Sequence, residues 1–390
     1  MNIAQIRAET PQCQNKIFIN SAGASLMPEQ IVKSIHNYLL EEAAHGGYKV
    51  ADTNASIIAN FYKEAAKLIN TQPHNIAFAH DATDAYTKAL SSIPFKKGDV
   101  IITSEDDYSS NQIQFLSLKE RFGIVLKRIK TLANGDLDIA HFQELVAEQK
   151  PVLVAITHIP TNSGLIQDVE SIGKICATED IIFLVDACQS VGQMVVDVQQ
   201  INCDFLTTTG RKFLRGPRGT GFLYVSDKVL NKGLKPLFID GNGADWMTPF
   251  TFKILADAKR FEHWERPYAL MVGFTTALRY ANTLGMANIQ QRNQILMQRF
   301  RANLAAIPTV TTFDKGSRTA NILTFRKGDK SPEQIQEVFD NNKIYHNVST
   351  KNWGVIDYAK KGVDWTIRLS PHYFNTLAEM DTVAEIIDSI

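Results

Sequence analysis

The sequence predicts an α/β fold with a mostly parallel sheet, because three features of the chain agree. Short apolar runs recur between longer amphipathic segments from about residue 76 to residue 225. Several runs are continuous in Ile, Val, Leu and Phe, which is typical of strands covered by helices on both faces. The segments between them, such as His141–Glu148 and Val169–Thr178, have helical spacing and the lengths of crossover helices. We therefore expect a large domain around a seven-stranded sheet.

The predicted strands are short and separated by stretches long enough for a helix in most cases. They are Ile76–Ala79, Val100–Ile102, Ile124–Leu126, Val152–Ile156, Ile181–Val185, Phe205–Thr208 and Phe222–Val225.

The chain after about residue 260 has helices first and strands later. Tyr268–Leu284 and Ala287–Ile307 have the periodicity of long helices. This order predicts a small α+β domain over residues 261–390, next to a large α/β domain over residues 46–260. We expect residues 1–45 to form an N-terminal arm and helix that pack with the small domain.

Composition and charge exclude several functions. The 390 residues include 41 basic and 41 acidic side chains, a formal net charge of +0, so nucleic acid and membrane surfaces are not expected partners. The sequence shows neither a signal peptide nor an apolar run near the ~18 residues that span a bilayer. Cys13, Cys176, Cys188 and Cys203 form no metal-binding spacing and favour a reducing compartment. We expect a cytoplasmic protein without a metal site.

The two segments most informative about chemistry follow predicted strands. In residues 181–193, IIFLVDACQSVGQ, Asp186 ends an apolar run, at the sheet edge where open α/β folds bind ligands. In residues 207–225, TTTGRKFLRGPRGTGFLYV, Lys212 lies between an apolar run and a glycine-rich turn. A desolvated lysine there has a lowered pKa and becomes nucleophilic toward an aldehyde. An Asp that caps a turn and a solvated loop lysine are the alternatives.

These motifs together resemble the pyridoxal 5′-phosphate (PLP) site of the class V aminotransferases, a fold-type I group that includes cysteine desulfurases and isopenicillin N epimerase. Asp186 and Gln189, then Thr209–Lys212, then the turn Gly216–Gly221 follow the family's motif order. The resemblance extends roughly from Phe18 to the last helix. It implies a fold-type I PLP-dependent enzyme, an amino-acid substrate and a homodimer.

The resemblance implies roles around the cofactor ring. Lys212 would bind the cofactor aldehyde covalently and move the substrate Cα proton. Asp186 would keep the pyridine nitrogen protonated. Gln189, with Asn162 as its companion, would bond the ring oxygen or the imine region. Tyr108 is expected over the ring face, with Ser109 as the alternative register.

The phosphate is expected at a helix N-terminus. The segment FAHDATDAYTKAL has the pattern of a strand end and a helix start, so the amides of Ala82 and Thr83 would point at an anion. Thr209 and Arg211 would complete this site, although Arg211 stands where desulfurases carry a histidine. A plain capping box is the alternative.

The resemblance also implies a substrate end. Arg368, in VDWTIRLSPHYFNT, would bind the substrate α-carboxylate with its guanidinium fork. Asn20, in FINSAGASLMP, would approach the substrate from the N-terminal arm. His263 and Trp264 stand where the family has a segment that contacts the phosphate of the other subunit. The sequence leaves open whether either residue makes this contact.

The reaction is predicted from departures within the family. Desulfurases carry a nucleophilic cysteine on a loop before the carboxylate arginine, whereas residues 346–365 contain no cysteine. This disfavours a cysteine desulfurase. The chain looks most like the branch of isopenicillin N epimerase-like proteins and hercynylcysteine sulfoxide lyase. We therefore expect a C–S lyase that eliminates from a cysteine-derived substrate such as a cysteine sulfoxide, with transamination and racemisation or epimerisation as alternatives.

Overall fold

The computed structural model describes residues 1–390. The strands are β1 (Ile17–Phe18), β2 (Ile76–Ala79), β3 (Val100–Ser104), β4 (Val125–Ile129), β5 (Leu153–Thr157), β6 (Ile182–Asp186), β7 (Phe205–Thr209), β8 (Gly221–Val225), β9 (Ala244–Thr248), β10 (Thr251–Ile254), β11 (Val310–Thr312), β12 (Leu323–Lys327), β13 (Ile344–Tyr345), β14 (Asn347–Thr350) and β15 (Trp365–Leu369). The helices are α1 (Ile3–Ala8), α2 (Glu29–His45), α3 (Gly47–Thr53), α4 (Ala55–Leu68), α5 (Ala82–Ser91), α6 (Ser109–Phe122), α7 (Ile139–Gln149), α8 (Val169–Thr178), α9 (Val198–Ile201), α10 (Asp227–Asn231), α11 (Tyr268–Leu284), α12 (Met286–Ala305), α13 (Pro332–Asn341), α14 (Val355–Lys361) and α15 (Leu377–Ser389).

The central sheet has seven strands in the order β2-β8-β7-β6-β5-β3-β4. Its strands pair in parallel except at β8, which runs antiparallel to both β2 and β7. Each of the seven apolar runs forms one of these strands. The predicted α/β class with a seven-stranded, mostly parallel sheet is therefore confirmed.

The continuous apolar runs arise because both faces of the sheet are covered. Alternate residues of β6 show this, since Phe183 and Val185 pack into one hydrophobic cluster and Ile182 and Leu184 into another. Successive side chains of a strand point to opposite faces, so a strand buried on both faces has no polar side to alternate with.

The C-terminal part contains a second, antiparallel sheet in the order β11-β12-β15-β14. Helices α12, α13 and α15 contribute to its core, as Phe300, Phe339 and Val383 show. The N-terminal arm reaches this part, because β1 pairs in parallel with β13. Helix α2 packs on α11 through Tyr38 and Val272. These contacts are compatible with the predicted division into three segments, which stays a prediction.

The hairpin of β9 and β10 has no counterpart among the predicted strands. Its large apolar side chains are exposed, including Trp246 and Phe250, which are 81% and 96% exposed. No helix of the structure has both the length and the apolar character needed to cross a membrane.

Candidate active site

A cavity of about 300 Å³ opens at the carboxyl edge of the central sheet, beside the start of α5. Its wall contains most of the residues predicted around the cofactor, namely Ala82, Thr83, Tyr108, Asp186, Gln189, Thr209, Arg211 and Lys212. The wall also contains residues that the sequence analysis did not assign to the site, namely Asp81, Asn111, Thr157, Ile159, Thr161, Cys188, Arg218 and Gly219.

The turn after β7 directs Lys212 into this cavity. The Gly210 amide donates to the Thr220 carbonyl at 2.8 Å, and the Gly216 amide donates to the Gly210 carbonyl at 2.8 Å, which closes the turn. Burial lowers the pKa of the Lys212 amine, and the neighbouring Arg211 charge lowers it further. A lysine in this state supplies a neutral, nucleophilic amine more readily than a solvated lysine does.

Asp186 ends β6 with a buried carboxylate. Its Oδ1 accepts the Cys188 amide at 3.0 Å, and its Oδ2 accepts the Asn111 side-chain amide at 3.0 Å. No lysine or arginine nitrogen lies within 4.0 Å of this carboxylate. Because a buried charge is costly without a partner, the site is suited to a ligand that brings a cation.

Helix α5 begins at the cavity and presents an anion site. The Asp81 side chain caps the helix by accepting the Asp84 amide at 2.9 Å, which leaves the first two amides, those of Ala82 and Thr83, without intrahelical partners. Both residues line the cavity together with Arg211. A phosphate group fits this combination of amides, helix dipole and guanidinium.

Gln189 lies between the cofactor cavity and the N-terminal arm. Its side-chain amide donates to the Thr161 hydroxyl at 3.0 Å and to the Ala22 carbonyl at 3.2 Å, while its buried Oε1 has no partner. An unpaired buried oxygen is costly, so it indicates a donor on the ligand.

Asn162, the predicted companion of Gln189, lies elsewhere. Its side-chain nitrogen lies close to Gly354, and its carbonyl accepts the Lys361 ammonium at 2.6 Å. The cavity wall contains the preceding residue, Thr161, in its place. The sequence predicts the neighbouring residue, Asn162, for this position.

The predicted substrate residues meet at the edge of the cavity. Arg368 on β15 donates from Nη1 to the Thr161 hydroxyl at 2.5 Å and from Nη2 to Asn20 Oδ1 at 3.5 Å. Its buried Nε has no partner. Burial lowers the pKa of Arg368 to about 10, so its guanidinium stays charged at neutral pH. Donors without a partner beside a cavity suit a carboxylate.

Tyr108 precedes α6 and faces the lysine across the cavity. The Lys212 ammonium lies 6.0 Å from the centroid of the Tyr108 ring. Ser109, the alternative, is the first residue of α6 and does not line the cavity. The geometry is compatible with Tyr108 over the face of a bound ring, which stays a prediction.

Cys188 is the cysteine that reaches the cavity. Burial raises the pKa of its thiol far above the ordinary range, and the adjacent Asp186 adds to this effect. The thiol is therefore neutral at physiological pH. A neutral thiol is a weak nucleophile.

Residues 346–365 fold back onto the protein instead of forming an open loop. Strand β14 and helix α14 occupy this segment. Asp357 pairs with Lys361 at 2.7 Å and with Lys315 at 2.7 Å, and Lys315 also pairs with Asp106 at 2.8 Å. These contacts hold α14 against the loop after β3, which contains Asp106.

The two residues that replace the family's cross-subunit contact lie outside the cavity. The His263 ring is 6.1 Å from the His80 ring and borders a separate apolar groove. Trp264 is exposed. Their contact with another subunit stays a prediction.

Comparison with known proteins gives consistent results. A family model described as aminotransferase class-V matches residues 17–383. A probable cysteine desulfurase of Methanothermobacter thermautotrophicus is 26% identical over 398 residues, covering 100% of this chain and 98% of the relative. A cysteine desulfurase of Salmonella choleraesuis is 27% identical, covering 97% and 96%. The apo structure of a cysteine desulfurase from Thermococcus onnurineus has a TM-score of 0.91 at 24% identity, covering 99% and 97%.

A further structure shares the fold at 20% identity. It is described as the cystine C-S lyase C-DES in complex with its reaction product, cysteine persulfide, and has a TM-score of 0.86 over 98% of this chain and 99% of that chain.

The relatives overturn the expected reaction. Similar proteins from archaea and bacteria carry the name cysteine desulfurase. This is the activity that the absence of a cysteine in residues 346–365 disfavours. The expectation of a C–S lyase acting on a substrate such as a cysteine sulfoxide, with a cysteine desulfurase disfavoured, is therefore wrong. The absence of one cysteine in residues 346–365 does not decide the reaction, because the other predicted site residues, among them Lys212, Asp186 and Arg368, are present in the structure.

Proposed function

Because the chain belongs to the class V aminotransferase family, we propose that it is a PLP-dependent enzyme that removes sulfur from cysteine. The family membership confirms the predicted fold-type I fold and the predicted cofactor, PLP. The narrower branch named from the sequence stays a prediction. The substrate follows the names of the relatives that cover nearly the whole chain.

The observation that supports this function best is the convergence of four groups at one sheet edge. They are the Lys212 amine, the uncompensated Asp186 carboxylate, the free amides at the start of α5, and Arg368. Three of them match the aldehyde, ring nitrogen and phosphate of PLP, and the fourth matches the carboxylate of an amino acid. When bound, PLP supplies a ring that withdraws electrons from the substrate Cα.

The protein groups have separate tasks in this scheme. Arg368 binds the substrate α-carboxylate, with Asn20 beside its Nη2. Lys212 holds the cofactor and, once released, carries the proton at the substrate Cα through its Nζ. Tyr108 covers the cavity and excludes water from one side. These assignments rest on positions in the cavity and on the family resemblance.

The sulfur acceptor is proposed to come from outside the protein. The segment 346–365 has no cysteine, and the Cys188 thiol is kept neutral by burial. An external thiolate attacks the substrate sulfur, so an S–S bond forms as the Cβ–S bond breaks and Cβ takes a proton. The products are alanine and the persulfide of the acceptor.

The test is an assay of the PLP-loaded enzyme with cysteine, with and without dithiothreitol. We expect alanine and sulfide in equal amounts, formed faster with the added thiol than with cysteine as the sole thiol, and an unchanged rate in Cys188→Ala. Lys212→Ala serves as the inactive control. Formation of pyruvate in place of alanine, or no turnover of cysteine, would contradict the proposal.

We also propose a cytoplasmic homodimer. The cysteines are unpaired, which suits a reducing compartment. The exposed aromatic side chains of the β9–β10 hairpin and the apolar groove bordered by Phe238 and Phe252 form a surface suited to a second copy.

A further inference from the structure

A buried hydrogen-bond bridge connects Asp186 to a second carboxylate, Asp107. The side-chain amide of Asn111, on α6, donates to Asp186 Oδ2 at 3.0 Å and to Asp107 Oδ1 at 3.0 Å. One buried amide thus joins two carboxylates from different segments, the end of β6 and the loop after β3. The bridge fixes the distance between two negative charges.

Asp107 is held by a dense set of donors. The Tyr108 amide and the Gln112 side-chain amide each donate to it at 2.7 Å, and the hydroxyl of Thr157 donates to the same oxygen as Asn111. Gln112 is itself oriented by Arg128, which donates to its Oε1 at 2.8 Å. Burial raises the pKa of the Asp107 carboxyl above its ordinary value, and these hydrogen bonds, which favour the ionised form, oppose that rise.

No protein cation compensates the pair directly. Neither Asp107 nor Asp186 has a lysine or arginine nitrogen within 4.0 Å. The nearby Tyr86 hydroxyl stays neutral, because burial and both carboxylates raise its pKa. Lys212 is the basic group that faces Asp186 from the cavity. Two carboxylates that share one amide therefore concentrate negative charge on this side of the cavity.

We propose that Asp107 is a positioning residue that, through Asn111, orients Asp186 and makes the site selective for a protonated, positively charged ring nitrogen. The proposal rests on the proposed function, since it requires PLP in the cavity. Asp107 does not touch the ring. Its charge and the shared amide act through Asp186, so removing the charge weakens the preference for a cationic ring without removing the site.

The test compares two ligands that differ only at the ring nitrogen. The apo-enzyme is titrated with PLP and with 1-deaza-PLP, in which a C–H group replaces the nitrogen, and both dissociation constants are measured by fluorescence. We expect wild type to prefer PLP clearly. In Asp107→Asn, which keeps the shape and removes the charge, we expect this preference to fall roughly tenfold, the size of one pKa unit.

Asp106→Asn is the matched control. It removes the same charge one residue away, but the Asp106 carboxylate pairs with Lys315, so the preference for PLP should stay as in wild type. Asn111→Ala provides a second variant that breaks the bridge, and its preference should fall in the same direction if Asp107→Asn does not fold.

The outcomes separate this inference from the function it rests on. A preference in Asp107→Asn and Asn111→Ala equal to that of wild type overturns the role of Asp107 and leaves the PLP site intact. An equal fall of the preference for PLP in Asp106→Asn also overturns the role of Asp107, because the loss of any nearby carboxylate would then have the same effect. Failure of wild type to bind PLP overturns the proposed function itself.

Discussion

Single residues at the sheet edge are kept in unusual ionisation states by burial. His158 follows β5, and its backbone amide donates to the Asp186 carbonyl at 2.8 Å. Its buried Nδ1 has no partner, and burial lowers the pKa of the imidazole to about 4. The folded protein therefore binds a proton at His158 less readily than the unfolded chain does.

This state predicts acid sensitivity. The stability that comes from a neutral His158 is fully present above pH 6.5 and is lost as the pH falls through 4, on the order of 3 kcal/mol in total. In His158→Gln, the loss of unfolding free energy between pH 7.5 and pH 5, measured by urea denaturation, should be smaller than in wild type. The exposed His36→Gln is the control. An identical pH dependence in His158→Gln and wild type would contradict the prediction.

The site residues differ in how far the sequence could predict them. Lys212 and Asp186 follow predictable strands, and the structure brings both to one cavity. Asn162 and Thr161 are neighbours, and which of them faces the cavity depends on the backbone course after β5. That course is set by contacts with Gly354 and Lys361, almost two hundred residues away, which no local pattern contains.

At the level of elements, β8 and α5 are packed so closely that one glycine is required. A Cβ on Gly221 would lie 2.4 Å from the Thr208 carbonyl oxygen and 3.1 Å from the Asp81 backbone carbon. Asp81 caps α5, so this contact sets the position of the proposed phosphate site. The glycine-rich turn therefore serves strand and helix packing as well as the turn at Lys212.

We predict that Gly221→Ala lowers the unfolding free energy by about 1 to 3 kcal/mol and weakens PLP binding, because neighbouring backbone must move. Urea denaturation and PLP titration measure the two effects. Gly241→Ala is the matched control, since a Cβ there meets no atom within 4 Å. Equal stability and PLP affinity in both variants would show that the packing is looser than described.

The elements that the sequence predicted are those whose burial matches their composition. All seven apolar runs became strands. Inner strands such as β6 are covered on both faces and need continuous apolar residues, whereas the edge strand β4 is only partly covered. The β9–β10 hairpin escaped prediction because its aromatic residues point outward, as Trp246 shows. Composition cannot distinguish an aromatic side chain that is buried within the chain from one that is exposed on its surface.

At the level of the whole molecule, distant parts of the chain complete one site. Asn20 of the arm meets Arg368 of β15, and the Asn111 amide links Asp107 to Asp186 at the sheet edge. The outer surface contains apolar side chains that nothing in the chain covers, since Phe250 is almost fully exposed. Exposed apolar patches of this kind mark protein interfaces.

If the β9–β10 hairpin forms the proposed dimer interface, substitutions in it should lower the mass of the protein in solution. Trp246→Ser combined with Phe250→Ser should convert dimers to monomers at micromolar concentration, as measured by sedimentation velocity, because both side chains lose apolar contact area. Leu132→Ser, another exposed apolar residue outside the hairpin, should leave the mass unchanged. A monomeric wild type, or a double variant that stays dimeric, would contradict the proposal.

If the Lys212 amine carries PLP, borohydride reduction of the PLP-loaded protein makes that bond permanent. Mass spectrometry should then find one reduced cofactor adduct per chain, on the peptide that contains Lys212, and none in Lys212→Ala. An unmodified Lys212 peptide, or an adduct of equal yield on another lysine, would contradict this prediction.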